Sequence, residues 1–218
     1  MKRIIRVTGT GRLSLKPDEI NLAITLTDTL TTYQAAVEQS AQATGQLKHA
    51  FEAIGFKKEN LKTTHFSIDS KYEGIHDPAG AYRQEFAGYE YDHQLLLAFD
   101  ADSSRLGQVL TAFVDSGVSA EFKIVYTVKD PESATNELLE KAVRDAKAKA
   151  ERLAGAAGVS LGDLVHIDYA WQDISFRNES FRSARFTDQV AYKGSFDLDV
   201  EPENIKLEKT VRVAWEIK

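Results

Sequence analysis

The sequence lacks cysteine altogether, and this absence excludes several kinds of chemistry. None occurs among the 218 residues, so the chain cannot form disulfides, use a thiol nucleophile or bind a metal through thiolates. Long apolar runs are missing as well. The longest compact one, residues 95–99, has the length of a strand, whereas a helix that crosses a bilayer needs about 20 apolar residues. We therefore expect neither thiol chemistry nor a membrane span.

The sequence also has no excess of positive charge. Its 27 Lys and Arg residues against 33 Asp and Glu residues give a formal net charge of -6 and a pI of about 5.5. A net acidic surface repels phosphates. We therefore expect no nucleic-acid partner.

The first residues do not have the pattern of a secretion signal. Met1 is followed by basic residues and then by strand-like sequence, without the apolar core of roughly 7–15 residues that precedes a cleavage site. The expected location is the cytoplasm. The periplasm or the cell envelope is the alternative if a leader precedes Met1 in the natural protein.

Alternating apolar and polar residues predict strands in five segments. Clean alternation indicates sheets with one buried and one wet face, which favours antiparallel pairing. The apolar positions are Ile20, Leu22, Ile24 and Leu26; Tyr89, Tyr91, Leu95, Leu97 and Phe99; Phe122, Ile124, Tyr126 and Val128; Val165, Ile167, Tyr169 and Trp171; and Val211, Val213, Trp215 and Ile217.

Apolar residues three or four apart predict three amphipathic helices. They cover residues 33–54, about 103–115, and a long segment after Pro131 whose stripe comprises Leu139, Ala142, Ala146, Ala150, Leu153 and Ala157. Each helix is followed by a glycine and an apolar residue, as expected of a left-handed C-terminal cap. Three helices cannot cover both faces of so much sheet. We therefore predict an α+β fold, a mainly antiparallel sheet with the three helices packed on one side.

Two connections are unusually long. Residues 70–86 are predicted to be a hairpin loop, and residues 172–191 a structureless loop. A loop of the second kind is uncommon inside a compact domain and is usually functional or disordered.

Several segments, taken in order and spacing, resemble the SIMPL-domain family of bacterial proteins. They are Gly9-Thr10-Gly11 with the following residues to Asp18, Ile54-Gly55-Phe56, residues 61–68, Gly88-Tyr89, residues 106–110, and the Ala-rich helix with its glycine stop, residues 142–162. The resemblance spans nearly the whole chain and implies one SIMPL-like domain over 1–218, or two intimately joined subdomains. In secreted members it also implies ring-like or channel-like oligomers at the cell envelope. It transfers no catalytic residues.

The sequence shows no constellation that points to an enzyme or a cofactor. Gly9-Thr10-Gly11 lacks the third glycine of a dinucleotide fingerprint, and Pro17 followed by a strand stands where the helix should begin. A bend or bulge between strands is the preferred interpretation. No two of the five histidines have the short spacing of a zinc pair, so solvated or structural roles are expected. They are His49, His65, His76, His93 and His166. We expect no cofactor and no metal.

The segment 172–191 combines three phenylalanines spaced by five residues with interleaved arginines. Aromatic and Arg side chains are enriched at protein interfaces, and the segment's near balance of charge disfavours a phosphate groove. The candidate interface residues are Phe176, Arg177, Phe181, Arg182, Arg185 and Phe186. Self-association and packing against the chain's own sheet both remain open.

The sequence thus favours a non-catalytic, self-associating structural or scaffold protein of the SIMPL type. The alternative is an adaptor-like module that binds another protein through the loops 70–86 and 172–191. An enzyme is least favoured, because nothing brings a nucleophile, a base and an orienting group together.

Overall fold

The fold alternates strands with three helices. The computed structural model describes residues 3–76, 82–169, 175–176, 178–182 and 201–218, with 178–182 described by their backbone. The elements are β1 (Ile4–Leu15), β2 (Glu19–Leu30), α1 (Tyr33–Ala53), β3 (Leu61–His76), β4 (Tyr82–Asp100), α2 (Ser103–Asp115), β5 (Glu121–Thr127), α3 (Pro131–Ala156), β6 (Leu161–Tyr169), β7 (Asn178–Arg182) and β8 (Ile205–Ile217).

The chain divides into two compact units, each with its own sheet and core. One unit comprises Met1–Pro17, Thr127–Asn178 and Pro202–Lys218, and the other Asp18–Tyr126 and Glu179–Glu201. We call them the terminal unit, because it holds both chain ends, and the central unit. The strand order is β1-β8-β6 in the terminal unit and β3-β4-β2-β5-β7 in the central unit. The strand pairs β1·β8, β6·β8, β2·β4 and β3·β4 are antiparallel. The α+β prediction is confirmed.

The central unit carries two helices on its five-stranded sheet. The succession β2-α1-β3-β4-α2-β5, with β4 and β5 on either side of β2, is a split β-α-β arrangement. Its core is formed by alternate residues of the strands and the buried stripes of α1 and α2. The most deeply buried side chains include Leu22, Ile24, Leu26, Leu47, Phe51, Leu95, Leu97, Val109 and Phe113.

The helices begin and end where the sequence predicts. Asp102 caps α2 by accepting a hydrogen bond from the Arg105 N–H at 2.6 Å, which satisfies a backbone donor that the helix leaves free. Gly55, Gly117 and Gly158 all have positive φ. After α1, the Phe56 N–H donates to the Phe51 carbonyl at 3.1 Å, the bond expected of a left-handed glycine cap.

The terminal unit packs α3 against β1 with almost no space between the two backbones. A Cβ atom on Gly9 would lie 2.0 Å from the Ala142 carbonyl oxygen, and one on Gly11 would lie 2.0 Å from that of Leu138. The predicted bend or bulge at Gly9-Thr10-Gly11 is wrong, because β1 pairs with β8 without interruption from residue 4 to 15. The glycines remove side chains at the point where the helix crosses the strand.

This close approach also changes which residues of α3 are buried. The predicted stripe is correct for three alanines but wrong at Leu153, which is 53% exposed, and at Ala157, which is exposed just after the helix ends. Small residues one helical turn apart form the contact surface, because little space is left beside the glycines of β1. The buried positions are Ala134, Leu138, Ala142, Ala146, Ala150 and Ala154.

The two predicted loops contain strands. Within 70–86, β3 continues to His76 and β4 already begins at Tyr82, so these residues extend a hairpin. Within 172–191, residues 178–182 form β7 beside β5. Both predictions of irregular structure are wrong at these positions, because pairing with a neighbouring strand satisfies the backbone hydrogen bonds in spite of nearby turn-forming residues.

Candidate interaction surface

The hairpin of β3 and β4 extends well beyond the rest of its sheet. The pairing of β2 with β4 stops at Leu30 and Tyr89, whereas β3 and β4 stay paired as far as His76 and Tyr82. We call this two-stranded extension, residues 71–76 and 82–88, the arm. At about 3.4 Å per residue the arm is roughly 20 Å long. Two strands alone are marginally stable in water, so the arm needs support from its own side chains or from a partner.

Exposed aromatic side chains run along the arm. Tyr72, Tyr82 and Phe86 are 56%, 64% and 45% exposed. Tyr72 contacts Phe86 edge to face at a ring separation of 5.7 Å, and Phe86 contacts Tyr89 in the same way at 5.3 Å. Tyr89 in turn meets Tyr33, the first residue of α1, at 5.9 Å. A continuous row of aromatic rings therefore connects the start of α1 with the arm.

The ring of Tyr82 covers a glycine on the opposite strand. A Cβ atom on Gly74 would lie 2.6 Å from the ring and hydroxyl of Tyr82. An aromatic side chain laid over a strand glycine compensates for the packing that the glycine lacks. The outer part of the arm is thus supported by its own residues, although Tyr82 keeps much of its ring in solvent.

Gly88 marks the base of the arm. Its φ is +143°, and a Cβ atom there would lie 2.4 Å from the Leu30 carbonyl oxygen, where β2 ends. The pairing register shifts between Lys71 and Tyr72 at the same level. Lys71 bonds Glu90 and reaches Thr29 Oγ1 at 3.3 Å. A glycine, a bulge and an ion pair therefore define where the sheet becomes a two-stranded arm.

The sheet of the terminal unit has one screened edge and one open edge. On β1, the Thr10 N–H donates to Asp145 Oδ2 of α3 at 2.7 Å, and Lys149 Nζ donates to the Thr8 carbonyl at 3.3 Å. The pKa of Asp145 is lowered, first by the hydrogen bond from Lys149 and then by that from Thr10. These two charged side chains occupy backbone groups that another strand would otherwise use.

The opposite edge, β6, is open within the described part of the chain. Its burial pattern shows seven consecutive exposed residues. Four of them are large and apolar, namely Leu164, Val165, Ile167 and Tyr169. An exposed edge strand with apolar side chains is a template for pairing with a further strand.

The candidate interface residues of the sequence are described only in part. Phe176 is partly buried against the core of its own terminal unit, beside Leu13 and Leu207, and its carbonyl accepts a hydrogen bond from Thr127 Oγ1 at 2.8 Å. Phe181 and Arg182 lie on β7 and are described by their backbone. Arg177, Arg185 and Phe186 lie outside the described residues. Their role in an interface stays a prediction.

Metal-ligating side chains and one surface groove were the remaining candidates for a site among the described residues. No group of three or more His, Asp or Glu side chains within them could hold a metal ion. A groove between α1 and α2 is lined mainly by small residues such as Ala53, Gly107 and Thr111, with Asp115 at its rim. Among the described helices, none combines the length and the apolar character needed to cross a membrane.

Comparison with known proteins identifies the family of this chain. The profile of SIMPL, described as a protein of unknown function (DUF541), matches residues 5–215. The chain belongs to the SIMPL family. That family assignment confirms the resemblance noted in the sequence and names no activity.

Two curated relatives are similar over most of the chain. Both are called 26 kDa periplasmic immunogenic protein, one from Brucella melitensis and one from Brucella abortus. Each is 28% identical over 163 residues, which is 75% of this chain and 65% of the relative. The match thus spans slightly less than two thirds of the relatives' length. The expected cytoplasmic location finds no support in these relatives, whereas the periplasmic alternative is compatible with them.

Proposed function

We propose that the chain is a non-catalytic structural protein of the SIMPL type that associates with copies of itself in the periplasm or cell envelope. The observation that carries the proposal is the arm, with three aromatic side chains about half exposed. The largest exposed apolar patch of a monomeric protein is often a binding site. The periplasmic names of the two Brucella relatives support the location.

The size of the exposed aromatic surface limits how the arm can act. An aromatic side chain carries about 200 Å² of surface. The exposed fractions of Tyr72, Tyr82 and Phe86 then correspond to roughly 300 Å². A stable interface buries about 1,200–2,000 Å² in total, so a contact between two arms alone would be weak. A stable assembly needs a second contact, for which the open edge of β6 and the segment 172–191 are the candidates.

The proposal is tested by sedimentation velocity on the wild type and on Tyr72→Ser/Tyr82→Ser/Phe86→Ser. The matched control is Leu153→Ser, which removes a similarly exposed apolar side chain from α3. We expect the wild type and the control to sediment as an oligomer, and the arm variant to move toward the monomer. Circular dichroism checks that the variant keeps its fold. Sedimentation of the arm variant as wild type would contradict the role of the arm.

The segment 172–191 needs a separate variant. Phe181→Ala/Phe186→Ala is preferred to a change that includes Phe176, because Phe176 packs against the core of its own unit and its loss would destabilise that unit. Dissociation by this double variant would place a subunit contact at the segment. A wild type that stays monomeric at every concentration would overturn self-association. The alternative, an adaptor-like module that binds another protein through residues 70–86 and 172–191, would then replace it.

A further inference from the structure

His93 is the buried member of the five histidines. It lies on β4 and is 9% exposed, whereas the other four are on the surface. Its neighbours come from three elements. Residues of α1 lie above it, Phe66 of β3 meets it edge to face at 4.9 Å, and Leu26 of β2 is its partner across the sheet.

Both ring nitrogens of His93 are hydrogen-bonded to hydroxyl groups. Nδ1 lies 2.8 Å from Ser40 Oγ and 3.3 Å from Thr44 Oγ1, one helical turn apart on α1. Nε2 lies 2.8 Å from Thr63 Oγ1 of β3. Ser40 is 1% exposed and Thr44 is 8% exposed. One imidazole ring therefore connects the middle of α1 with the edge strand of the sheet.

The hydroxyl partners can bond either form of the ring, but its burial disfavours the charged form. Hydroxyl groups can donate or accept, so they satisfy either tautomer of a neutral imidazole. The charged groups that act on the ring are Lys48 on α1 and Asp92 on β4, whereas β2 and β3 face it with Leu26, Thr63 and Phe66. Burial first, and then Lys48, lowers the pKa of His93 below 6.5, and Asp92 opposes them weakly.

We propose that His93 is a proton-sensitive connection that holds α1 on the sheet at neutral pH and weakens that attachment when the imidazole is protonated. More frequent opening of α1 would also disturb the base of the arm, because Tyr33 at the start of α1 contacts Tyr89 of β4. The inference is independent of the proposed self-association, since it concerns the docking of α1 within one chain.

The direction of the effect follows from proton linkage. In a state with α1 undocked, His93 regains an ordinary pKa near 6.5, while the docked state keeps a lower one. The undocked state then binds more protons as the pH falls below about 6.5. The stabilisation of the docked state is complete above that pH and is lost as the pH falls toward the lowered pKa. A single proton changes the equilibrium by at most about tenfold per pH unit.

The test is amide hydrogen exchange of the full-length chain, followed by mass spectrometry at several values from pH 7.5 to 5 and corrected for the intrinsic exchange rate. We expect the protection of α1 to fall by up to about tenfold per pH unit below about pH 6.5. In His93→Gln, whose amide can still bond hydroxyls but does not titrate, α1 protection should not depend on pH. His65→Gln, an exposed change on β3, is the matched control and should behave as the wild type.

Two results would overturn the proposal. One is a pH dependence of α1 protection that is the same in His93→Gln as in the wild type. The other is an NMR titration of the wild type in which the His93 ring protonates at or above pH 6.5. This second test does not depend on whether the variant folds. Protonation of that ring below pH 6.5, together with loss of α1 protection over the same range, supports it.

Discussion

Replacing Gly9 by alanine tests the contact between α3 and β1. The added Cβ would lie 2.0 Å from the Ala142 carbonyl oxygen and 2.5 Å from the Ala146 nitrogen, whereas ordinary contacts begin at 3.4 Å. Both obstacles are backbone atoms, so no side-chain rotation relieves the clash. The helix must move by more than an ångström and lose packing along its alanine stripe.

The expected cost is about 2–3 kcal/mol of unfolding free energy. Overpacking a tight core costs about 1–3 kcal/mol, and a backbone obstacle places Gly9→Ala near the top of that range. Alanine recovers about 0.5–1 kcal/mol, because glycine loses more conformational entropy on folding. In α3 itself, Gly155→Ala meets nothing within 4 Å and should stabilise the unit by about 0.5–1 kcal/mol.

Urea unfolding followed by fluorescence measures this difference. Trp215 is buried against α3 in the terminal unit, and Trp171→Phe leaves it as the single tryptophan, because the chain has two. The signal then reports on the unit that the substitution affects. A Gly9→Ala variant as stable as its Gly155→Ala counterpart would refute the close approach of helix and strand.

Three further changes test local features. Asp102→Ala removes the side chain that accepts a hydrogen bond from the Arg105 N–H and should lower the free energy of unfolding, measured with urea, by about 1 kcal/mol. Asp102→Asn should keep most of that stability, because asparagine is also a good N-cap residue. Leu47→Ala empties a fully buried position of α1 and should cost about 3 kcal/mol, whereas a cost below 1 kcal/mol would contradict that packing. The pKa of Asp145 is lowered by Lys149, so its contribution to stability should be present above about pH 4 and lost as the pH falls through the lowered pKa. The melting temperature of Asp145→Asn should therefore be lower than that of the wild type at pH 7, and the two should converge under acid conditions.

The helices could be predicted from the sequence because their signals are local. Apolar spacing, the proline at the first position of α3 and the glycine after each helix all act within a few residues. The role of Gly9 and Gly11 could not be found in this way. Its cause is a helix more than 120 residues later in the chain, which only the tertiary structure brings against β1.

The arm was missed for the opposite reason, since local signals pointed away from it. Gly74, Pro78 and Gly80 predict a loop, but Tyr72 and Tyr82 are typical strand residues and pack across the hairpin. The alternation of β4 places His93 in phase with Tyr91 and Leu95, which indicates a buried position. The sequence does not indicate its hydrogen-bond partners, because they are hydroxyls of α1 and β3 that only the tertiary structure brings to the ring.

The central claim is that this SIMPL chain associates with itself. Size-exclusion chromatography with multi-angle light scattering on the wild type, over a dilution series and at neutral pH, tests it most directly. We expect a discrete mass that is a multiple of 24.3 kDa. On dilution this mass should decrease to a smaller multiple where the weaker of the two proposed subunit contacts dissociates. A mass of 24.3 kDa at every concentration up to the solubility limit would contradict the account and leave the arm as a surface for a different protein.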